Sequence, residues 1–158
     1  SLLLPSMDLT SVRGGVCTCS DANVAVAIRD FLAILNFEND SFLFDFAVEL
    51  PDVSTPSLVF NDSLFSTEKL LATFSPVCLT IISLDRKRIL GTFDSSCNLL
   101  TWDPLLPASF FVTTLDGTIS HCTLLMNRLP ASLSINWTYK FDSQITSLII
   151  PPYDPNAL

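Results

Sequence analysis

The chain has few basic residues, few glycines and a single histidine. It has 8 Lys and Arg against 16 Asp and Glu, so the net charge is −8, which repels phosphate backbones and argues against direct nucleic-acid binding. Its four glycines leave little room for a phosphate-cradling loop. No apolar run reaches the length of about 18 residues that a membrane-spanning helix needs. These shortages argue against nucleic-acid binding, a phosphate-binding loop and a membrane span.

The single histidine limits catalysis in the same way. A Ser-His-Asp or Cys-His arrangement has to use His121, which directly precedes Cys122 inside a predicted strand. Strand neighbours point to opposite faces, so these two cannot form a dyad. Four aspartates fall beside predicted strand ends, where carboxylates bond backbone N–H groups and set turns: Asp85, Asp94, Asp103 and Asp116. The sequence therefore predicts a non-enzymatic protein with no catalytic, cofactor-binding or metal residue, and the binding residues cannot be assigned from it.

Five cysteines are an odd number in a chain large enough to fold without disulfides, which favours free thiols in a reducing compartment. Cys17 and Cys19 form a C-x-C pair, but no second pair follows to complete a tetrahedral zinc site. Residues two apart in a strand share a face. We therefore expect these two to be small core residues.

Three N-x-S/T sequons occur at Asn39, Asn61 and Asn136. They matter only in a secreted protein, and the opening segment, residues 1–5, is too short for a signal-peptide core. They nevertheless keep an alternative open, in which the chain is a secreted or viral β-sandwich binding module.

Aromatic and β-branched residues are abundant instead, with 12 Phe and 49% hydrophobic residues, which favours large side chains packed on sheet faces. A pattern of strand, tight polar turn and strand occurs over residues 79–103 and returns over 109–125. It predicts repeated antiparallel hairpins and an all-β fold. The basic residues Arg86, Lys87 and Arg88 lie between two strands of this pattern and are predicted to form a solvated turn.

Other segments are consistent with this pattern. Residues 23–35 are compatible with a helix, but Val24, Val26 and Ile28 alternate with alanines and favour two strands. Residues 66–72 predict either one helical turn or a direct path into a strand. Further expectations are a strand over 42–50, a proline-interrupted connector over 51–57, an outer or edge strand over 133–141, and a strand beginning in 142–158.

Together these pieces resemble the blades of WD-repeat β-propellers. The motifs that carry the resemblance are Ile82 to Asp85, Ile89 to Asp94, Asn98 to Asp103 with its Trp-Asp ending, and Phe111 to Ile119. The resemblance implies antiparallel four-stranded blades near residues 11–58, 70–107 and 108–142, with a further blade starting at 143. No Gly-His dipeptide occurs, Trp-Asp occurs once, and Cys97 stands where the family usually has glycine.

A narrower resemblance lies in residues 17–27 and 74–76, which are similar to the opening of the propeller subunits of the RNA polymerase III general transcription factor C. It implies a nuclear scaffold that holds other protein subunits. From the acidic charge, the missing apolar run and the missing catalytic motifs, we expect no nucleic-acid, membrane or small-molecule ligand. Blades take about 40 to 45 residues and a closed propeller has at least four. The sequence thus predicts about three and a half blades, which a longer polypeptide or a partner would complete.

Overall fold

The computed structural model describes residues 17–20, 22–28, 30–51, 57–61 and 66–151, and for 17–20 only the strand path. Every regular element among them is a β-strand, and none of the described residues forms a helix long and apolar enough to cross a membrane. The twelve strands are β1 Cys17–Ser20, β2 Asn23–Ile28, β3 Phe31–Glu38, β4 Ser41–Glu49, β5 Ser57–Phe60, β6 Leu70–Phe74, β7 Leu79–Ser83, β8 Arg88–Phe93, β9 Leu99–Trp102, β10 Ser109–Thr113, β11 Thr118–Leu125 and β12 Ser132–Lys140.

These strands form three four-stranded antiparallel sheets, each a meander in chain order: β1 to β4, β5 to β8, and β9 to β12. The all-β prediction is confirmed, and three stacked sheets replace the two of the β-sandwich alternative. The described residues between 23 and 35 belong to β2, β3 and the turn at Asp30, and not to a helix. Residues 66–69 lead directly into β6. The Leu133–Phe141 prediction of an outer strand is also confirmed, because β12 ends its sheet.

The second and third sheets each begin one strand earlier than the blades predicted at 70–107 and 108–142. Residues 70–107 contain β6 to β9, whereas β9 pairs with β10 and belongs to the third sheet. Residues 89–103 therefore do not form a hairpin, although β7 with β8 and β10 with β11 do. The connection over 94–98 is short enough for a hairpin or for a crossing to a new sheet, so its length does not distinguish the two.

Two apolar cores lie between the three sheets. One joins the first and second sheets around Leu32, Ile34 and Leu71, and the other joins the second and third around Ile81 and Phe110. Every residue of β6 and β7 is buried, because the second sheet packs on both faces. Each fully buried Leu, Ile or Phe contributes about 1.5 to 3 kcal/mol, so stacking of the sheets is the main source of stability.

The first strands of the sheets lie side by side, β1 against β5 and β5 against β9. Trp102 reinforces the second of these junctions, since its Nε1 donates a hydrogen bond to the Val59 carbonyl at 2.9 Å while its ring meets Phe110 edge to face. The inner side of the stack is thus formed by β1, β5 and β9.

Each sheet has a β-bulge between its third and fourth strands. The extra residue is Asp45 in the first sheet, Leu90 in the second and Asn136 in the third. A bulge redirects the side chains and backbone groups around it. The same irregularity therefore marks an equivalent position in all three sheets.

The basic turn is more than a solvated loop. Arg86 pairs with Glu68 within the second sheet at 2.7 Å, and Lys87 reaches Asp45 of the first sheet at 2.6 Å. Asp45 is only 14% exposed, so the Lys87 contact is partly shielded from solvent. The turn connects the first two sheets.

Candidate interaction surface on the third sheet

The third sheet packs one face on the second sheet, and no further sheet covers its other face among the described residues. The strand registers place alternate residues of β10, β11 and β12 on that uncovered side. We call it the open face and define it by Phe111, Ile119, His121, Thr123, Trp137 and Tyr139.

An aromatic group occupies the middle of the open face. The Phe111 ring centroid lies 4.7 Å from the His121 ring, and Trp137 stacks on the same imidazole at 5.9 Å with an interplanar angle of 11°. Trp137 and Tyr139 remain 46% and 59% exposed. Large aromatics that are half in water on a sheet face are typical of a surface that another molecule covers.

A hydrogen-bonded chain fixes His121 beneath this group. Its Nε2 lies 2.9 Å from Asp103 Oδ2, and its Nδ1 lies 2.9 Å from Asn136 Nδ2. The amide nitrogen can only donate, so Nδ1 accepts and Nε2–H donates to the carboxylate. The same amide donates to Thr123 Oγ1, which bonds Ser109 Oγ at 2.9 Å. The chain crosses from β9 to β12 and holds the four strands in one register.

This arrangement suits structure better than catalysis. Both ring nitrogens of His121 are occupied, and neither contacts a hydroxyl or thiol among the described residues. Cys122 is buried in the core on the opposite face, as the strand alternation predicted, and burial raises the pKa of its thiol. Burial, and secondarily the neighbouring Cys122, raises the pKa of Cys97 to about 12. These two thiols are protonated at neutral pH and are poor nucleophiles.

The sequence-predicted site residues are placed as follows. Asp85 accepts a bond from Lys69 N, 16 residues earlier, so it joins two segments and does not set a local turn as predicted. Asp116 accepts a bond from Thr118 N and sets its turn as predicted. Asp103 does the same for Leu105 N but also binds His121. No group of three or more potential metal-ligating side chains occurs within the described ranges. The side chains of Cys17 and Cys19 lie outside the described residues.

Asn136 was singled out in the sequence only as a sequon. Its amide nitrogen in fact donates two hydrogen bonds within the sheet, and a glycan on that atom would replace one of the donated hydrogens. Asn39 differs, since it lies exposed in the turn between β3 and β4. Alternation along β12 is the sequence signal that predicts which of its residues share a face with His121. The bulge at Asn136 shifts this alternation by one residue, so the pattern alone does not place Asn136 beside His121.

No protein-family model matches the chain, and no curated protein matches its sequence. Solved structures do resemble it: the β-propeller domain of Cps50 (Swd1) from Myceliophteria thermophila has a TM-score of 0.52 at 13% identity, over 77% of this chain and 42% of that one. Apo AztD from Citrobacter koseri has a TM-score of 0.56 at 12% identity, over 81% and 34%. A chain of the mitotic checkpoint complex has a TM-score of 0.53 at 15% identity, over 82% and 38%.

These likenesses show the fold. The chain is all-β, with antiparallel four-stranded sheets of the β-propeller type, and it spans about a third to two fifths of the length of these solved chains.

Proposed function

We propose that the chain is a non-catalytic β-propeller scaffold that holds other protein subunits within an intracellular multisubunit assembly. The observation that carries this proposal is the open face, where Phe111, Trp137 and Tyr139 present an aromatic surface on a sheet whose other face packs on the second sheet. Aromatic residues are enriched at protein interfaces and contribute most of the binding energy there.

Charge favours protein partners over nucleic acid. The net charge of −8 repels phosphate and steers toward surfaces with basic patches. Exposed carboxylates among the described residues, such as Glu49 and Asp94, remain available for such contacts. We therefore expect binding to weaken as ionic strength rises.

We further propose that the assembly is the nuclear RNA polymerase III general transcription factor C. Support comes from the similarity of residues 17–27 and 74–76 to the propeller subunits of that factor. The three-sheet structure is compatible with such a subunit, and the solved neighbours include a member of a multiprotein complex.

The proposal is tested by purifying the endogenous polypeptide under native conditions and measuring the mass and composition of what it elutes with. We expect a discrete nuclear complex that contains subunits of the polymerase III factor. A complex of other composition would refute the finer proposal alone. Elution as a free polypeptide would refute the scaffold role.

Two matched variants connect the result to the open face. Trp137→Ser removes an exposed aromatic from it, whereas Phe42→Ser removes one that is 60% exposed on β4 of the first sheet. We expect the first to reduce the recovered complex and the second to leave it unchanged. Equal effects of both would argue against the open face as the interaction surface.

The alternative to an intracellular location is secretion, and N-glycosylation of Asn39 would indicate it. This residue lies exposed in a turn where an oligosaccharide fits without disturbing the sheet. Glycan mass at Asn39 of the endogenous protein would overturn the intracellular proposal.

A further inference from the structure

The bulge residue of each packed sheet accepts a hydrogen bond from the sheet that follows it. Asp45 Oδ1 of the first sheet accepts from Lys87 Nζ of the second at 2.6 Å. The Leu90 carbonyl of the second accepts from the Ala131 amide of the third at 2.8 Å. Both donors occupy the same place, immediately before the fourth strand of their sheet. At both internal junctions, therefore, the bulge residue of one sheet accepts a hydrogen bond from the residue that precedes the fourth strand of the next sheet.

The third sheet carries the equivalent acceptor. Asn136 is its bulge residue, and the amide nitrogen of Asn136 is held by His121 and Thr123. Asn136 is exposed, and its Oδ1 has no hydrogen-bond partner among the described residues. Because Nδ2 is fixed by two bonds, the amide cannot rotate without losing them, and Oδ1 is held ready to accept from outside the sheet.

The chain beyond β12 returns to the inner side of the stack. Phe141 N donates to the Gly117 carbonyl at 2.9 Å, and Asn98 Nδ2 donates to the Ile145 carbonyl at 3.3 Å. Asn98 directly precedes β9, so residues 142–151 pass beside the first strand of the third sheet. That is how β5 lies relative to β1, and β9 relative to β5.

Residues 142–151 have the composition of a strand without a strand partner. Ile145, Leu148 and Ile150 are half-buried, whereas Ile149 is 85% exposed. None of the amides in this segment donates a backbone hydrogen bond to another described residue. A segment with apolar residues, whose amides donate no backbone hydrogen bond, can serve as a template for strand addition.

We propose that the open face docks a further four-stranded antiparallel sheet whose first strand is residues 142–151 and whose other strands lie outside these 158 residues. Asn136 Oδ1 accepts a hydrogen bond from the residue immediately before the fourth strand of that sheet. The internal junctions specify its chemistry: an apolar docking face like that formed by Leu58, Phe60 and Leu71, and a lysine ammonium or backbone N–H as donor. This inference names the partner of the proposed scaffold and rests on that proposal.

The test is amide hydrogen exchange over residues 142–150, measured on the isolated 158-residue chain and on the endogenous assembly. We expect fast exchange in the isolated chain and slowing by at least about tenfold in the assembly. Equal rates would overturn the docking inference while leaving the scaffold role intact. Absence of any assembly would overturn both.

Two further outcomes would contradict the assigned occupant. Slowing in the isolated chain that grows with its concentration would identify a second copy as the covering molecule. A variant series tests the acceptor: Asn136→Leu removes Oδ1, and Asn127→Leu is the matched control in the exposed connection between β11 and β12. We expect the first to reduce the protection of residues 142–150 about tenfold relative to that of β10 and β11, which corrects for any general loss of stability. Unchanged relative protection would remove Asn136 from the contact.

Discussion

His121 Nε2 donates to Asp103 Oδ2 at 2.9 Å, and the two side chains are only 6% and 11% exposed. They lie on β11 and directly after β9, two strands that β10 separates. The bond therefore bridges β9 and β11 across β10 on the open face. It fixes the imidazole on which Trp137 stacks.

Asp103→Ala should destabilise the chain by about 1 to 3 kcal/mol, because the buried Nε2–H of His121 then lacks an acceptor. The Leu105 amide also loses its carboxylate partner. Denaturant unfolding measures the change. Asp94→Ala is the control, since Asp94 is exposed beside a strand end and should matter by less than about 0.5 kcal/mol. Equal effects of the two variants would contradict a structural role for the Asp103–His121 bond.

Trp102→Phe should lower the free energy of unfolding by about 1 kcal/mol more than the smaller buried area alone explains. The reason is that the Val59 carbonyl loses its donor at the junction of the second and third sheets. Trp137→Phe is the matched control: Trp137 is half-exposed, and no hydrogen bond from its Nε1 joins it to another described residue. Thermal unfolding of both variants gives the comparison. A larger effect at Trp137 would mean that the inner junction is not held by the indole.

The strands were largely predictable, because their signals are local. Alternation of Val24 and Val26 with alanines predicted β2, and the opposite faces of His121 and Cys122 followed from their adjacency in a strand. The edge position of β12 followed in the same way from its alternation.

The candidate surface was not predictable, because its contacts depend on which sheet receives β9. Only when β9 pairs with β10 do Asp103 and His121, 18 residues apart, come within hydrogen-bond distance. Asn136 reaches them because it is the extra residue of the bulge in β12. No residue pattern in β12 predicts where that bulge lies. Register and sheet membership are non-local, so the sequence periods that identify strands do not determine them.

Cys97 makes stability fall at alkaline pH. Its thiol titrates at about 12 in the folded chain against a reference of 9.0, so above pH 9 the unfolded state loses its proton first and is stabilised. Stability is fully present below pH 9 and falls by up to about 1.4 kcal/mol per pH unit between 9 and 12. Unfolding measured from pH 8 to 11 should show a steeper decline for the wild type than for Cys97→Ala. Parallel profiles would contradict the raised pKa.

Gly117 allows the chain after β12 to pass over the turn between β10 and β11. Its φ of +91° lies where side chains are strained, and an added Cβ would lie 2.5 Å from the Ser143 carbonyl oxygen and 2.9 Å from that of Phe141. Gly117→Ala should therefore cost about 1 to 3 kcal/mol and displace residues 141–143.

Gly91→Ala is the control for this prediction. The nearest atom to its added Cβ is the end of the Phe93 ring at 2.9 Å, which can rotate away, and its φ lies outside the left-handed region. Its cost should be smaller. Unfolding free energies and the exchange rate of the Phe141 amide, which donates to Gly117 O, measure both effects. If Gly117→Ala left that amide as protected as in the wild type, the path of residues 141–143 over the turn would be wrong, and with it the placement of residues 142–151 beside β9.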